Sequence, residues 1–235
     1  MQSHVVDIKT SDVSVNIDIK PLQLDNLNYF NGVLCKTQEG WKIEAGSFTC
    51  LLDHGPLKHS YTLYEIHGHM VKDSCLESCR RHSVDGKEYA GELHLLHNSF
   101  SRKLGPDELN KILPVHKTVI CILLEEGKIN NELSKFTNKM PELSCTDKNI
   151  YLNDVDVISL LPEKLDFWMY EDEIVGANEE NTTWIIFKKP IEISNEQVNA
   201  VLPSPGRASG PGRPIQPHSK KTITEGYAVL KPSDS

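Results

Sequence analysis

The sequence predicts a mainly β (α+β) protein of one domain, with short helices at its periphery. Three observations carry this: several segments alternate apolar and polar residues or are rich in β-branched ones, the helical segments are short, and 235 residues at 38% hydrophobic content suffice for one sizeable core. In chain order, Ser47 to Leu52, Tyr61 to Met70 and Tyr89 to Asn98 read as strands. Asp107 to Ile112, after Gly105-Pro106, reads as a short helix. Thr118 to Leu124 is again a strand, and Asn131 to Asn138 has a polar amphipathic helical pattern. Trp184 to Lys188 is a strand, and Ser194-Asn195-Glu196-Gln197 has the form of a capping box opening a helix to Val201. Pro203 to Gly212 reads as an irregular loop, the domain is expected over 1–225, and 226–235 as a C-terminal tail that is partly disordered. Internal repeats are absent.

The net charge of −8 comes without long acidic runs, which argues against nucleic-acid binding. The runs Arg80-Arg81-His82 and Lys220-Lys221 read as solvated faces. Met1-Gln2-Ser3-His4 carries no apolar signal region and no stretch approaches the ~18 apolar residues of a spanning helix, so a cytoplasmic protein without a membrane span is expected, or a secreted one if the N-terminus is incomplete. The six cysteines are irregularly spaced. Cys121 lies in an apolar strand where a free thiol packs well, and Cys75 and Cys79 form the close pair, suited to a disulfide or to no bond rather than to a metal. Asn181-Thr182-Thr183 matches a glycosylation sequon but leads straight into a strand.

The chemistry lies in three histidines. His67 and His69 form an H-x-H pair within Tyr64-Glu65-Ile66-His67-Gly68-His69, and His94 stands in Glu92-Leu93-His94-Leu95-Leu96. Side chains alternate faces along a strand, so the pair points both imidazoles to one side and a neighbouring strand can supply the third. Three neutral imidazoles with a fourth position open form the ligand set of a catalytic zinc, whereas structural zinc usually closes with cysteine. Glu65 shares a face with His67 and His69, and Glu92 with His94, so both carboxylates can accept the second N–H of a metal-bound imidazole. The plainer reading is a strand pair that carries exposed His and Glu. The H-x-H pair alone does not separate the two; His94 and the two glutamates favour the metal. His97 falls on the opposite face from His94 and reads as a hydrogen-bonded core residue.

With these residues in place, the chain resembles the α-carbonic anhydrases nearly end to end. Gln2 to Ile8 is similar to the family's opening Q-S-P-V-D-I, and Gly55-Pro56-Leu57 with Tyr61 leads into the histidine strand. Tyr89-Ala90-Gly91-Glu92-Leu93-His94-Leu95-Leu96-His97 is similar to the third-ligand strand. Leu161-Pro162-Glu163 with Asp166-Phe167-Trp168 and Arg213-Pro214-Ile215-Gln216-Pro217 match later motifs. The resemblance implies a large twisted central β-sheet, Zn²⁺ on His67, His69 and His94, and Glu65 and Glu92 behind them. It also implies reversible hydration of carbon dioxide to bicarbonate by a zinc-bound hydroxide, whose water has its pKa lowered to about 7 in this family. Leu96, Val119, Ile174 and Trp184 occupy the positions of the apolar wall beside the substrate.

The chain departs from the pattern at the residues that orient the hydroxide. Val175 stands where the family has a threonine and Arg81 where it has the buried glutamate that the threonine engages. The proton-relaying histidine of fast members corresponds to Gly46 or Ser47, which do not titrate near neutrality. The aromatic-rich segment before the opening motif is missing, and only Asp53 and His54 stand in place of a longer hairpin. Two functions are therefore expected to compete: a zinc carbonic anhydrase of reduced efficiency, or a related protein that keeps zinc and acts through binding. Retention of all three histidines favours the enzyme. A chain lacking its first segment would explain the N-terminus without explaining Val175 or Arg81.

Overall fold

The computed structural model describes residues 6–15, 18–25, 30–37, 40–70, 82–100, 116–145, 149–172, 182–202 and 221–231. The strands are β1 (Val6–Ile8), β2 (Ser14–Val15), β3 (Leu22–Asp25), β4 (Phe30–Thr37), β5 (Gly40–His54), β6 (Ser60–Met70), β7 (His82–Val84), β8 (Gly91–Phe100), β9 (Lys117–Glu126), β10 (Ile150–Val155), β11 (Asp166–Asp172), β12 (Thr182–Ile193) and β13 (Thr224–Leu230). Three α-helices are present among the described residues, α1 (Asn131–Thr137), α2 (Met140–Cys145) and α3 (Asn195–Val201), with two single 3-10 turns at Thr10–Asp12 and Ile158–Leu160. The fold is mainly β, built on one large twisted sheet with short helices, as expected.

The main sheet runs β10-β4-β5-β3-β13-β11-β12-β9-β8-β6, and a further pairing of β6 with β5 brings the path back onto itself. β1 and β7 form a separate parallel pair. The long β5 makes the return possible, because β4 and then β3 lie along one of its sides and β6 along the other. The turn from β5 to β6 is tight. Gly55 sits there at φ +61°, and a Cβ would stand 2.7 Å from the backbone nitrogen of Leu22, so only glycine fits.

Alternation along the central strands divides the molecule into two apolar regions. Leu93 and Leu95 of β8, Ile120, Ile122 and Leu124 of β9, and Ile185 and Phe187 of β12 join the larger core. Their neighbours in sequence, Cys121, Leu123 and Ile186, turn to the other face and pack with Val6, Ile8, Trp168 and Tyr170. This double covering explains why β9 reads as an almost unbroken apolar run: it pairs parallel with β12 and is buried on both faces. Each fully buried Leu, Ile or Phe contributes roughly 1.5–3 kcal/mol. Phe167 and Phe187 meet edge to face, with centroids 6.5 Å apart.

The helices cover one side of the larger core, and Phe136 of α1 packs on Trp41 of β5 at 4.9 Å between centroids. Asn130 caps α1 by accepting from the N–H groups of Glu132 and Leu133, both at 3.0 Å. The capping box of α3 forms as its sequence predicts, with Ser194 and Gln197 bonding reciprocally. Gln197 does more. Its Oε1 also accepts from Asn130 N–H at 3.0 Å, and its Nε2 donates to Asn130 O at 2.7 Å and Ser134 Oγ at 3.0 Å.

Some expectations need correction or lie outside the described residues. Residues 226–230, read as part of a tail, continue β13; Ala228 is buried and pairs with Leu22, while Gly226 pairs with Phe167. The helix expected at Asp107 to Ile112, the loop from Pro203 to Gly212, Asn181 and the pair Cys75 and Cys79 lie outside the described residues. Cys35, Cys50 and Cys121 are free and buried. Among the described residues, no helix is long and apolar enough to cross a membrane.

Candidate metal centre

The antiparallel register of β6 and β8 sets His67 opposite His94, His69 opposite Glu92 and Glu65 opposite Leu96. Directly opposed residues share a face, so the H-x-H pair and the third histidine rise from the sheet together. Their rings lie 4.9 Å (His67–His69), 5.3 Å (His67–His94) and 5.0 Å (His69–His94) apart between centroids. One ring nitrogen from each falls within 4.8 Å of the other two. Gly68 gives this strand its clearance: a Cβ there would press on Trp41 at 3.0 Å.

Carboxylates hold two of the rings. His67 Nδ1 is 2.9 Å from Glu65 Oε1, which leaves Nε2 of His67 unengaged by that bond. His94 Nε2 is 2.8 Å from Glu92 Oε2, which leaves Nδ1 unengaged by that bond. The hydrogen bond from His67 holds the Glu65 carboxyl below its usual range against the opposing effect of burial, and Lys42, 3.6 Å away, acts in the same direction. Burial pushes His94 towards the neutral imidazole, with Glu92 pulling the other way. Burial opposes ionisation of Glu92, but the charges and hydrogen bonds of His82 and His94 outweigh it and keep the group a carboxylate.

Glu92 also holds His82, which corrects the solvated reading of that residue. His82 is 5% exposed. Its backbone N–H donates to Glu92 Oε1, its Nδ1 lies 3.0 Å from Glu92 Oε2, and its Nε2 lies 2.8 Å from the Tyr170 hydroxyl. Glu92 thus holds one nitrogen of the ring and Tyr170 the other. Cys121 Sγ completes the group at 3.1 Å from Glu92 Oε2. Sequence reasoning missed His82, Tyr170 and Cys121 as neighbours of the centre; the signal available was the pairing of Cys121 with His94 once strand register is known.

Of the residues expected to form an apolar wall, Leu96, Val119 and Trp184 fall in one row across β8, β9 and β12, next to the row that holds His94. Trp184 and His94 meet edge to face, at 5.3 Å between centroids and 79° between the rings. Ile174, Val175 and Arg81 lie outside the described residues, whereas Gly46 and Ser47 lie within β5. His97 turns to the opposite face, as expected; its Nδ1 is 2.9 Å from Leu95 O, and burial pushes its pKa down to about 3.

A mainly β protein whose central strands gather three imidazoles, with carboxylates on the far nitrogens of two of them, belongs to a narrow class of folds and sites. The chain belongs to the eukaryotic-type carbonic anhydrase family, whose model matches residues 2–225. It is 27% identical to carbonic anhydrase 1 of Mus musculus over 234 residues, covering 94% of this chain and 88% of that protein. It is equally 27% identical to carbonic anhydrase 1 of Oryctolagus cuniculus over 233 residues, covering 94% and 97%. The donor set, three converging imidazoles with carboxylates behind two of them, suits the zinc that this family normally binds.

Proposed function

We propose that the chain is a zinc enzyme that reversibly hydrates carbon dioxide to bicarbonate, with reduced efficiency. The supporting observation is the convergence of His67, His69 and His94 with Glu65 and Glu92 behind two of the rings. His67 through Nε2, His94 through Nδ1 and His69 would hold the ion. Zinc so bound supplies a Lewis acid that brings the pKa of water close to neutrality, as is established for carbonic anhydrases in general.

The chain's own residues do the rest. Glu65 and Glu92 fix the tautomer and angle of the rings they touch and raise their basicity as ligands. Leu96, Val119 and Trp184 offer an apolar surface suited to a substrate with no net charge or hydrogen-bond donor. Val175 presents methyls where the family places a hydroxyl, so it can neither accept nor donate a hydrogen bond there. Arg81 brings a cation where the family places a carboxylate. These two substitutions carry the reduction in efficiency, and they also support the competing reading, a protein that keeps zinc and acts through binding.

The deciding experiment is stopped-flow hydration of carbon dioxide by zinc-replete protein, beside metal-free protein and His94→Ala, with metal content measured on each. The expected result is one zinc per chain, lost in His94→Ala, and hydration above the metal-free control. Full zinc occupancy with no hydration above that control would hand the site to the binding reading. Unchanged zinc in His94→Ala would overturn the ligand assignment.

A further inference from the structure

A second group of chemically active side chains lies behind the three histidines: His82, Glu92 and Cys121, all buried, with one candidate ligand atom from each within 4.8 Å of the others. Read as a metal site it is self-defeating. Each candidate atom already bonds within the group, and an ion there would take Glu92 Oε2 away from His94. It would also need the Cys121 thiolate, which burial first and the Glu92 charge second both disfavour. The group is better explained by what Glu92 requires.

A carboxylate that is 1% exposed must have its lone pairs occupied. Oε1 receives the His82 backbone N–H, while Oε2 stands 3.0 Å from His82 Nδ1, 2.8 Å from His94 Nε2 and 3.1 Å from Cys121 Sγ. Cys121 reaches it from β9. It pairs directly with His94 across the β8–β9 register, so its side chain stands on the same face and meets Glu92 on the diagonal. Cys121 is 0% exposed and reduced, and a thiol in that state brings a proton to the contact. His82 Nδ1, at 3.7 Å, is the next polar atom to the sulfur.

We infer that Cys121 is a positioning residue of the metal centre, its S–H donating to Glu92 Oε2 and pinning the carboxylate that orients His94. Cys121 and His94 meet the same oxygen, so a carboxylate that turned Oε2 away from His94 would give up the sulfur's proton as well. The role rests on the zinc reading above. It predicts that the donor at position 121, rather than its volume, governs how firmly the ion is held.

The test compares the zinc-loaded full chain with Cys121→Ala and Cys121→Ser, reading zinc release to a chromophoric chelator and, separately, the infrared S–H stretch assigned by difference from Cys121→Ala. The expected result is release about fivefold to tenfold faster in Cys121→Ala, the lower end of what loss of a supporting residue costs a metal site. Cys121→Ser, which keeps a donor but not the sulfur's size, should stay within about twofold of the parent protein. The parent S–H band should lie at the low frequency of a thiol bonded to a carboxylate and move in Glu92→Gln. Equal acceleration in the Ala and Ser variants would reduce Cys121 to packing and overturn the proposal, as would an unshifted S–H band. A second zinc equivalent that Cys121→Ala removes would overturn it by making the sulfur a ligand. If the parent chain held no zinc, the metal reading would fall and the positioning role with it, while the shifted S–H band would still register the bond.

Discussion

His67 and His94 are direct partners across the β6–β8 pairing, and their rings meet at 70° with centroids 5.3 Å apart. That relationship depends on register. Because side chains alternate, a slip of one residue would turn His67, His69 and Glu65 to the opposite face together. The β8–β9 register sets Cys121 beside His94, and the β9–β12 register sets Trp184 in the adjoining row, so the centre and its apolar flank depend on three successive strand pairings.

Glu65 separates the effect of an acceptor from that of a charge. Glu65→Ala removes the partner of His67 Nδ1 and should weaken zinc binding by about tenfold or more, within the range seen when such partners are lost. Glu65→Gln keeps an acceptor oxygen and should lose clearly less. Competition with a chelator of known affinity measures both, and equal losses would show that the charge, not the acceptor, is what His67 needs.

Val175 and Arg81 can be tested by repair. Val175→Thr together with Arg81→Glu should raise kcat/KM for carbon dioxide hydration by roughly 10–100-fold, the scale on which misorientation at a reacting centre costs rate. Zinc content should stay the same. The single variants should each recover less than the pair, because the hydroxyl and the carboxylate act on one another. A double variant with full zinc and unchanged hydration would show that these positions do not limit the rate.

His97 gives the fold an acid-sensitive point away from the metal. Its pKa is about 3 when buried and near 6.5 in an unfolded chain, so the unfolded state takes up a proton first as pH falls. The contribution is complete above about pH 6.5 and is lost as pH falls towards 3. Within that window one extra proton on the unfolded state is worth about 1.4 kcal/mol per pH unit. In His97→Gln, chemical denaturation of metal-free protein between pH 6.5 and 4.5 should show a slope shallower by about that amount. An unchanged slope would place the acid sensitivity elsewhere.

Much of this arrangement was legible in the sequence. The H-x-H strand, the Glu-x-His strand, their facing glutamates, the turn of His97 to the opposite face and the capping box at Ser194 all follow from periodicity two or from local capping chemistry, and the structure has each in place. His82 was not legible, because its neighbours Arg80 and Arg81 make it look solvated, while its burial comes from contacts with Glu92 and with Tyr170, 88 residues away. Cys121 read as packing because a strand buried on both faces offers no alternation to show which side a thiol takes. The strand at Gly226 to Leu230 was missed for a related reason. Its Glu-Gly-Tyr beginning is a weak strand signal, and it is held by parallel pairing to β3, some two hundred residues earlier.

Gln197 bears on how the helical flank is held in place. It seals the start of α1 from 67 positions further along the chain, closing on Asn130 with both ends of its amide. A seven-residue helix cannot persist on its own nucleation. With Phe136 seated on Trp41 of β5 and Asn130 held by a residue that lies beyond β12 in the chain, α1 is a product of tertiary docking rather than a locally stable helix.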